Sequence, residues 1–491
     1  MEEQQVSRRK VFSGLFWVYL ETICAQAVTF VVTIILARLL SPADYGIIAL
    51  VMVFVNVANV FVTSSFSFAL IQKNDADDLD YQTMFWFNIV VSFLLFAVLF
   101  VIAPTVANYY DIPLLSPVLR VLALKIPLSA YNSIQLAKVS HDLNFKKSFM
   151  STSGSTILSG AIGIVMAYTG YGIWALVVQV ISNILFNTVF LMTIVKWLPK
   201  LQFSFIRLLP LINYGWKLLA TGFMFTGYSE LCKLIIGKRY SADDLGYYDK
   251  GTQFPHFIAS NVDSTINRVL FPALSNQQDD RIRLKEITRR SAKTSAYIMT
   301  PILFGLAITA PTIVHLLLTD KWLPCVPFIQ IMCFSWWLQP TQSCSVQGIK
   351  AIGRSDIYLK VEIIAKICGL ILLFSSIVLF DTTIAIAVSM LMTQIIAVIL
   401  YGFYSQNLIG YKIKAQLSDL LSCGMIGLIM VVAVLIVGKI ELNNILVLLM
   451  QIFTGAICYI AFSWLFKIEA FNYLYVIVNK FNLSKIVYIM I

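Results

Sequence analysis

Charged side chains are scarce in this sequence. Asp, Glu, Lys and Arg together make up 12% of its 491 residues, whereas 59% are hydrophobic. Soluble domains carry about 25% charged residues. A chain with so few charges cannot cover a water-exposed surface, so lipid is expected to be its main solvent. The composition therefore predicts an integral membrane protein.

Motifs for metals, redox chemistry and nucleotides are also missing. The eight cysteines include no C-x-x-C pair, and the three histidines lie far apart, so neither a metal site nor a cofactor is expected. No G-x-x-x-x-G-K-[ST] pattern occurs, which argues against direct use of ATP. The formal net charge of +11 does not imply a nucleic-acid partner, because membrane topology accounts for most of the excess.

Long uncharged runs predict the membrane-spanning segments. About 20 apolar residues suffice to cross a bilayer, and the sequence is expected to form an all-α membrane protein with about fourteen transmembrane helices. Residues 471–491 mix apolar residues with lysines, as an interfacial helix does. The predicted transmembrane helices are 12–37, 43–70, 81–103, 114–137, 146–168, 173–196, 208–236, 244–271, 290–318, 324–348, 356–379, 383–406, 416–438 and 443–466.

The distribution of Lys and Arg predicts the orientation. With the N-terminus inside, the cytoplasmic segments hold 23 of these residues and the outside loops hold 5. Cytoplasmic loops of membrane proteins are enriched in Lys and Arg. Both termini and the 272–293 segment, which carries six of the cations, are therefore expected to be cytoplasmic.

Two similar blocks, 200 residues apart, indicate an internal duplication. Arg38–Gly46 and Lys238–Gly246 share a cation, a Ser, an Asp and a Gly at equivalent positions, and each joins the first two helices of its half. Six helices per half give both halves the same orientation, which is a parallel repeat. We expect a six-helix lobe at residues 1–200, a second at 201–410, and two extra helices with the interfacial tail at 411–491.

Several of these segments resemble the polysaccharide transporter family, the Wzx-type flippases of lipid-linked oligosaccharides. That family belongs to the same exporter superfamily as the MATE drug exporters. The resemblance implies two lobes around a central cavity and alternating access in the bacterial inner membrane. It implies an undecaprenyl-diphosphate-linked oligosaccharide substrate for O-antigen, capsule or exopolysaccharide, with the polymerase and glycosyltransferases of that pathway as partners. The matching segments are Leu36–Gly46, Leu245–Tyr248, Gly251, Phe254–Pro255 and Val269–Ser275.

Thirteen charged residues inside the predicted helices are considered as candidate cavity residues. Eight are cations and five are anions, and cations suit an anionic diphosphate. Glu21, Lys125 and Lys217 lie deep and have no local partner. Glu230 with Lys233, and Glu362 with Lys366, have helical spacing for mutual neutralisation, whereas Lys233, Lys250 and Arg268 lie near helix ends, where a cation can reach the interface. The candidate substrate-binding residues are Lys217, Lys125, Arg268, Lys250, Lys233, Arg120, Glu21, Asp263 and Glu230.

Two other functions compete with a flippase. A MATE-like antiporter for cationic drugs has the same predicted fold, although the excess of intramembrane cations disfavours it. A membrane polysaccharide polymerase or glycosyltransferase is suggested only by Asp78 and Asp80, a D-x-D pattern in a short acidic loop. The predicted outside loops are short and no nucleotide-binding domain surrounds the pattern, so a solvated acidic face is expected there and no enzyme.

Overall fold

The computed structural model describes residues 2–63, 70, 77–141, 144–277, 280–440 and 442–476. Side chains are described from residue 16 onward within these ranges, except at positions 214, 217, 218, 221, 225, 268 and 269. The predicted tail therefore lies outside the described residues beyond position 476, while residues 469–476 are helical.

The described chain is α-helical, with one short 3-10 helix and no strand among these residues. The helices in the first half of the chain are α1 (Glu2–Leu39), α2 (Pro42–Thr63), α3 (Asp78–Tyr110), α4 (Leu115–Ala123), α5 (Lys125–His141), α6 (Phe145–Tyr168), α7 (Ile173–Val195), α8 (Phe205–Arg239) and α9 (Ala242–Ser275). The others are α10 (Arg281–Leu318), the 3-10 helix (Asp320–Cys325), α11 (Val326–Trp337), α12 (Gln339–Ala351), α13 (Ser355–Leu379), α14 (Thr383–Ile409), α15 (Ile413–Val437) and α16 (Asn444–Leu465).

Each of the fourteen predicted segments coincides with a helix or a pair of helices. Ten helices in the described part of the chain are long and apolar enough to cross a membrane. The helices α8 and α9 are long but carry more charge. The remaining two segments, predicted as 114–137 and 324–348, are each divided into two shorter helices, α4 with α5 and α11 with α12.

Both divisions have the same local cause. The first occurs at Leu124 and is followed by Pro127, and the second occurs at Leu338 and is followed by Pro340. Proline has no amide hydrogen and crowds the carbonyl four residues earlier, which breaks or kinks a helix. The fourth helix of each half is therefore interrupted near a proline, which adds a structural correspondence to the sequence repeat.

The loop predicted at 272–293 is much shorter than expected. The helix α9 continues to Ser275, and α10 begins at Arg281. Asp280 starts α10 because its carboxylate accepts hydrogen bonds from the backbone amides of Ile282 and Arg283, each at 3.0 Å. The charged residues of this segment thus extend α10 beyond the apolar run, which the hydrophobic pattern alone does not indicate.

The chain divides into two compact units, Met1–Asp249 and Lys250–Ile491. In the first unit, α6 packs against α1 and α7. Its buried face consists of small residues such as Ser151, Ser159 and Gly163, which allow helices to approach closely in a membrane. In the second unit, α10 packs against α11, α15 and α16 through a core that includes Phe304, Met430 and Tyr459. The predicted lobes, divided near residue 200, stay a prediction.

Candidate functional site

A group of charges, one buried and two partly buried, connects three helices of the first unit. The Nζ atom of Lys233 in α8 lies 3.3 Å from Oε2 of Glu230 and 3.0 Å from Oδ1 of Asp249 in α9. The side-chain amide of Asn56 in α2 donates to Oε1 of Glu230 at 3.1 Å. Glu230 is only 7% exposed. The expected Glu230–Lys233 pair is therefore confirmed, and the structure adds Asp249 and Asn56.

The charges of this group do not favour an anionic ligand. Two carboxylates surround one ammonium group, so the group carries one formal negative charge when all three are ionised. Charges removed from water need partners, and here both acids contact the one cation, Lys233. Lys233 and Glu230 are consequently better explained as a connection between α8 and α9 than as direct contacts to a diphosphate.

Glu21 has a partner that the sequence does not reveal. Its Oε1 atom accepts hydrogen bonds from Ser148 Oγ at 2.9 Å and from Thr152 Oγ1 at 2.8 Å, both in α6. The acid therefore helps to hold α1 against α6. Nothing in the sequence near Glu21 could have indicated these hydroxyl groups, because they lie more than 120 residues away.

Arg120 and Lys125 lie on either side of the helix break at Leu124. The guanidinium of Arg120 packs over the ring of Phe100 at 4.7 Å, and its Nε donates to the carbonyl of Phe100 at 3.3 Å. Lys125 is the first residue of α5 and is partly buried. No hydrogen bond or ion pair of Lys125 is found among the side chains that the structure describes.

Two further candidates lie in α9. Lys250 is 4% exposed, and its Nζ atom donates to Oε1 of Gln253 at 3.1 Å. Asp263 accepts a hydrogen bond from Asn267 at 2.9 Å, and Asn267 also binds the hydroxyl of Ser343 in α12. The side chains of Lys217 and Arg268 lie outside the described residues, so their positions stay predictions.

The structure reveals one charged cluster that the sequence reasoning missed. Asp419 in α15 is 7% exposed and binds Arg289 of α10 through two hydrogen bonds of 2.7 and 3.1 Å. Lys293 lies 3.0 Å from the same carboxylate and also contacts Glu469. Burial raises the pKa of the Tyr411 hydroxyl, which stays protonated and donates to Asp419 at 2.9 Å. The sequence feature that could have indicated this cluster is the run of cations up to residue 293, which includes Arg289 and Lys293.

A cavity of about 380 Å³ adjoins this cluster. It is lined by the start of α10 and the segment 469–473, with Arg289, Arg290, Lys293 and Glu469 among its walls. Arg290 packs over the ring of Tyr473 at 5.0 Å. The cavity therefore lies where α10 meets the C-terminal segment. None of the predicted substrate-binding residues whose side chains the structure describes lines it.

The D-x-D acids are used to begin and anchor α3. Asp77 caps the helix together with Asp80, and Asp78 accepts from the indole of Trp197 at 2.7 Å. Asp80 is fully buried and lies 3.5 Å from Arg207. Hydrogen bonding from the Asp80 amide and the nearby Arg207 keep the pKa of Asp77 below its usual value. The expectation of a solvated acidic face was wrong for Asp80, because the carboxylate is enclosed as part of the cap.

Comparison with known proteins identifies the family. The model of the family described as polysaccharide biosynthesis protein matches residues 35–327, more than half of the chain. The chain belongs to this polysaccharide biosynthesis family. Its match includes both copies of the duplicated block and the helices α2 to α9, which hold most of the candidate charges.

Proteins similar to this chain come from several organisms. The succinoglycan biosynthesis transport protein ExoT of Rhizobium meliloti is 23% identical over 72% of this chain and 71% of its own length. The teichuronic acid biosynthesis protein TuaB of Bacillus subtilis is 22% identical over 71% of this chain and 73% of its own. The lipopolysaccharide biosynthesis protein WzxC of Escherichia coli is 22% identical over 72% of this chain and 73% of its own.

Solved structures establish the fold. The lipid II flippase MurJ, in an inward closed conformation, superposes with a TM-score of 0.73 and 16% identity over 92% of this chain and 98% of its own. An inward-facing MATE multidrug transporter superposes with a TM-score of 0.62 and 11% identity over 81% of this chain and 98% of its own. The protein thus has the membrane-transporter fold that these two proteins share.

Proposed function

We propose that the protein is a flippase that moves undecaprenyl-diphosphate-linked oligosaccharides from the inner to the outer leaflet of the bacterial inner membrane. The observation that carries this proposal is the family match over residues 35–327. Three relatives named for succinoglycan, teichuronic acid and lipopolysaccharide biosynthesis support it, because all three are surface polysaccharides. The product supplies O-antigen, capsule or exopolysaccharide assembly by a polymerase and glycosyltransferases.

The mechanism we infer is alternating access between the two lobes. The MurJ-like fold supports a transporter. The D-x-D acids have structural roles that argue against a glycosyltransferase, because Asp80 belongs to the α3 cap and Asp78 accepts a hydrogen bond from Trp197. Transport by parallel repeats places the substrate between the halves. A lipid carrying a diphosphate requires cations there, and Lys or Arg binds phosphate well.

Lys125 is the cation whose surroundings best fit this role. It begins α5, where the helix dipole adds positive potential, and the residues with described side chains offer it no acid. A buried lysine without a counter-charge is costly unless water or an anion meets it. Lys217, Lys250 and Arg268 are the further cations proposed to follow the diphosphate.

The decisive experiment is transport by the purified protein. Vesicles containing the protein and a fluorescent undecaprenyl-diphosphate oligosaccharide are treated with a membrane-impermeant reagent that modifies the sugar in the outer leaflet. We expect rapid equilibration of the lipid between leaflets with the protein and slow equilibration in empty vesicles. Equal rates in both would contradict the proposal, and selective export of a cationic dye instead would favour the MATE-like alternative.

The same assay tests the cations. We expect Lys125→Ala and Lys217→Ala each to reduce the rate at least tenfold, with partial activity in Lys125→Arg and Lys217→Arg because the charge is retained. The matched control is Lys360→Met, which changes an exposed lysine of α13. Wild-type rates in both alanine variants would show that these lysines do not bind the substrate.

A further inference from the structure

The two copies of the duplicated block adopt the same capping structure. Ser41 Oγ donates to Asp44 Oδ2 at 2.7 Å and accepts from the Asp44 amide at 3.2 Å. Ser241 and Asp244 repeat this arrangement at 2.6 and 3.0 Å. Each block thereby starts a helix, α2 in the first copy and α9 in the second, and fixes the backbone of its first turn.

The first turns of these two helices meet through their backbones. A Cβ atom placed on Gly46 would overlap the carbonyl oxygen of Ala242 and lie 3.1 Å from the amide nitrogen of Gly246. A Cβ atom on Gly246 would overlap the carbonyl oxygen of Pro42 and lie 3.3 Å from the amide nitrogen of Gly46. The contact is reciprocal, because Pro42 and Ala242 occupy equivalent positions of the repeat, as do the glycines.

Other contacts surround this crossing on the same side. Gly237 of α8 faces Leu50 of α2, since a Cβ atom there would lie 3.0 Å from Leu50 Cδ1. The hydroxyl of Tyr110 donates to the carbonyl of Leu234 at 3.4 Å, and Lys238 lies 3.2 Å from Asp111. Helices α2 and α3 therefore contact α8 and α9 at the end that the distribution of Lys and Arg predicts to be outside.

The buried charges lie directly below the crossing. Lys233 comes one helical turn before Gly237, and Asp249 comes one turn after Gly246. The ion pair of Lys233 with Asp249 and the bond from Asn56 to Glu230 thus bridge α2, α8 and α9 immediately beneath the glycine contact. Two contacts therefore join the halves at this end: the backbone contact of α2 with α9, and the hydrogen bond from Asn56 in α2 to Glu230 in α8. The Lys233–Asp249 ion pair holds α8 and α9 together behind them.

We propose that the Gly46–Gly246 crossing is the outer gate of the transporter, and that the duplicated block exists to build it. This inference rests on the proposed function. Because glycine has no side chain, the two backbones touch over a small area at these positions. Few side-chain contacts must therefore break when the gate opens. The hydrogen bond beneath, from Asn56 in α2 to Glu230 in α8, is a polar contact that water can replace when α2 separates from α8 and α9 to release an oligosaccharide.

A reversible crosslink tests whether the gate must open. Leu50→Cys with Gly237→Cys joins α2 to α8 beside the crossing, in a background where the eight native cysteines are replaced. Gly163→Cys with Gln179→Cys is the matched control, because a Cβ atom on Gly163 lies 2.8 Å from Gln179 Cβ and both helices, α6 and α7, belong to the first predicted lobe. Loss of thiol alkylation, measured by mass spectrometry, reports the extent of each crosslink.

Transport of the fluorescent lipid-linked oligosaccharide is then measured before oxidation, after oxidation and after reduction. We expect the gate crosslink to reduce the rate at least tenfold, reduction to restore it, and the control crosslink to leave it within twofold. Full transport by the crosslinked gate pair would overturn the inference while leaving the flippase function intact. Absence of transport before oxidation, in the wild type as well, would instead overturn the proposed function.

Steric variants provide an independent test. Gly46→Ala and Gly246→Ala add one methyl group to a helical backbone and should hold the gate apart. We expect each to lower transport at least fivefold at normal membrane levels. Gly305→Ala in α10, where an added Cβ atom meets nothing within 4 Å, should be unaffected. Normal transport by both gate variants would show that the glycine contact is not required.

Discussion

At the residue scale, the ammonium group of Lys233 holds two carboxylates together. Glu230 contacts it from the same helix, and Asp249 contacts it from α9. Removing one partner of a buried ion pair costs about 3–5 kcal/mol, because the charge left behind has no counter-ion. Each member of this group should therefore have a different effect on stability.

The first prediction ranks variants of this group. Lys233→Met should lower the thermal stability of the purified protein most, since Glu230 and Asp249 then repel each other without a cation. Glu230→Gln should cost less, because Asn56 still has an oxygen acceptor and Lys233 keeps Asp249. The measurement is the unfolding temperature in detergent, with Lys360→Met as the exposed control. Equal unfolding temperatures for Lys233→Met and the control would contradict the description of a buried ion group.

Glu362 and Lys366 form a second ion pair, which their i,i+4 spacing in the sequence predicted. Their charged atoms lie 3.5 Å apart on α13, and the hydroxyl of Tyr401 donates to Glu362 at 2.8 Å from α14. The ion pair expected from the i,i+4 spacing is confirmed. Tyr401 shows that the pair also connects two helices, which spacing along one helix cannot indicate.

At the scale of elements, Asp419 fastens α15 to α10. The carboxylate binds Arg289 and Lys293, and Lys293 in turn contacts Glu469 in the C-terminal segment. Asp419 is buried, whereas the side chain of Glu469 is 73% exposed. The two acids should contribute very differently, because exposed ion pairs are worth about 0–1 kcal/mol and buried ones leave costly charges when broken.

The second prediction follows from this contrast. Asp419→Asn should destabilise the protein by about 3 kcal/mol, since two cations lose their buried partner. Glu469→Gln is the matched control on the same lysine and should change stability by less than about 1 kcal/mol. Chemical denaturation in detergent, followed by tryptophan fluorescence, measures both. A larger effect of Glu469→Gln than of Asp419→Asn would mean that the exposed bridge, not the buried carboxylate, holds α10 in place.

At the scale of the whole molecule, the predicted topology decides which end the glycine crossing closes. The distribution of Lys and Arg along the sequence predicts which end of the helices faces the cytoplasm, because cytoplasmic segments are enriched in these residues. The asymmetry of 23 cations against 5 is the argument for an inside N-terminus. The same argument predicts that the six cations of 272–293 lie in the cytoplasm.

The third prediction tests this orientation. A membrane-impermeant thiol reagent applied to intact cells should label Lys439→Cys, in the short segment between α15 and α16, and should not label Arg281→Cys at the start of α10. Both positions are exposed, so burial does not explain a difference. After the cells are permeabilised, both should react. Labelling of Arg281→Cys in intact cells would invert the topology and would turn the proposed outer gate into an inner one.

The sequence by itself determined the class of the molecule and the position of its helices. Long apolar runs locate the ten helices of the described chain that can cross a membrane, because hydrocarbon excludes charge. The duplicated Ser-x-x-Asp-x-Gly block locates the start of α2 and α9, because helix caps depend on neighbouring residues. The family also follows from local segments such as Leu36–Gly46. These features depend on residues close together in the chain, so the sequence alone determines them.

Only the tertiary structure decided which residues meet. It placed Ser148 and Thr152 beside Glu21, Asp249 beside Lys233, and Asp419 between two cations of α10. It also showed that the first turns of α2 and α9, which are far apart in the sequence, contact each other through Gly46 and Gly246. Residues that are separated by more than a few helical turns of sequence come together only through helix packing. The periodicity of one helix does not indicate which residues of another helix it contacts.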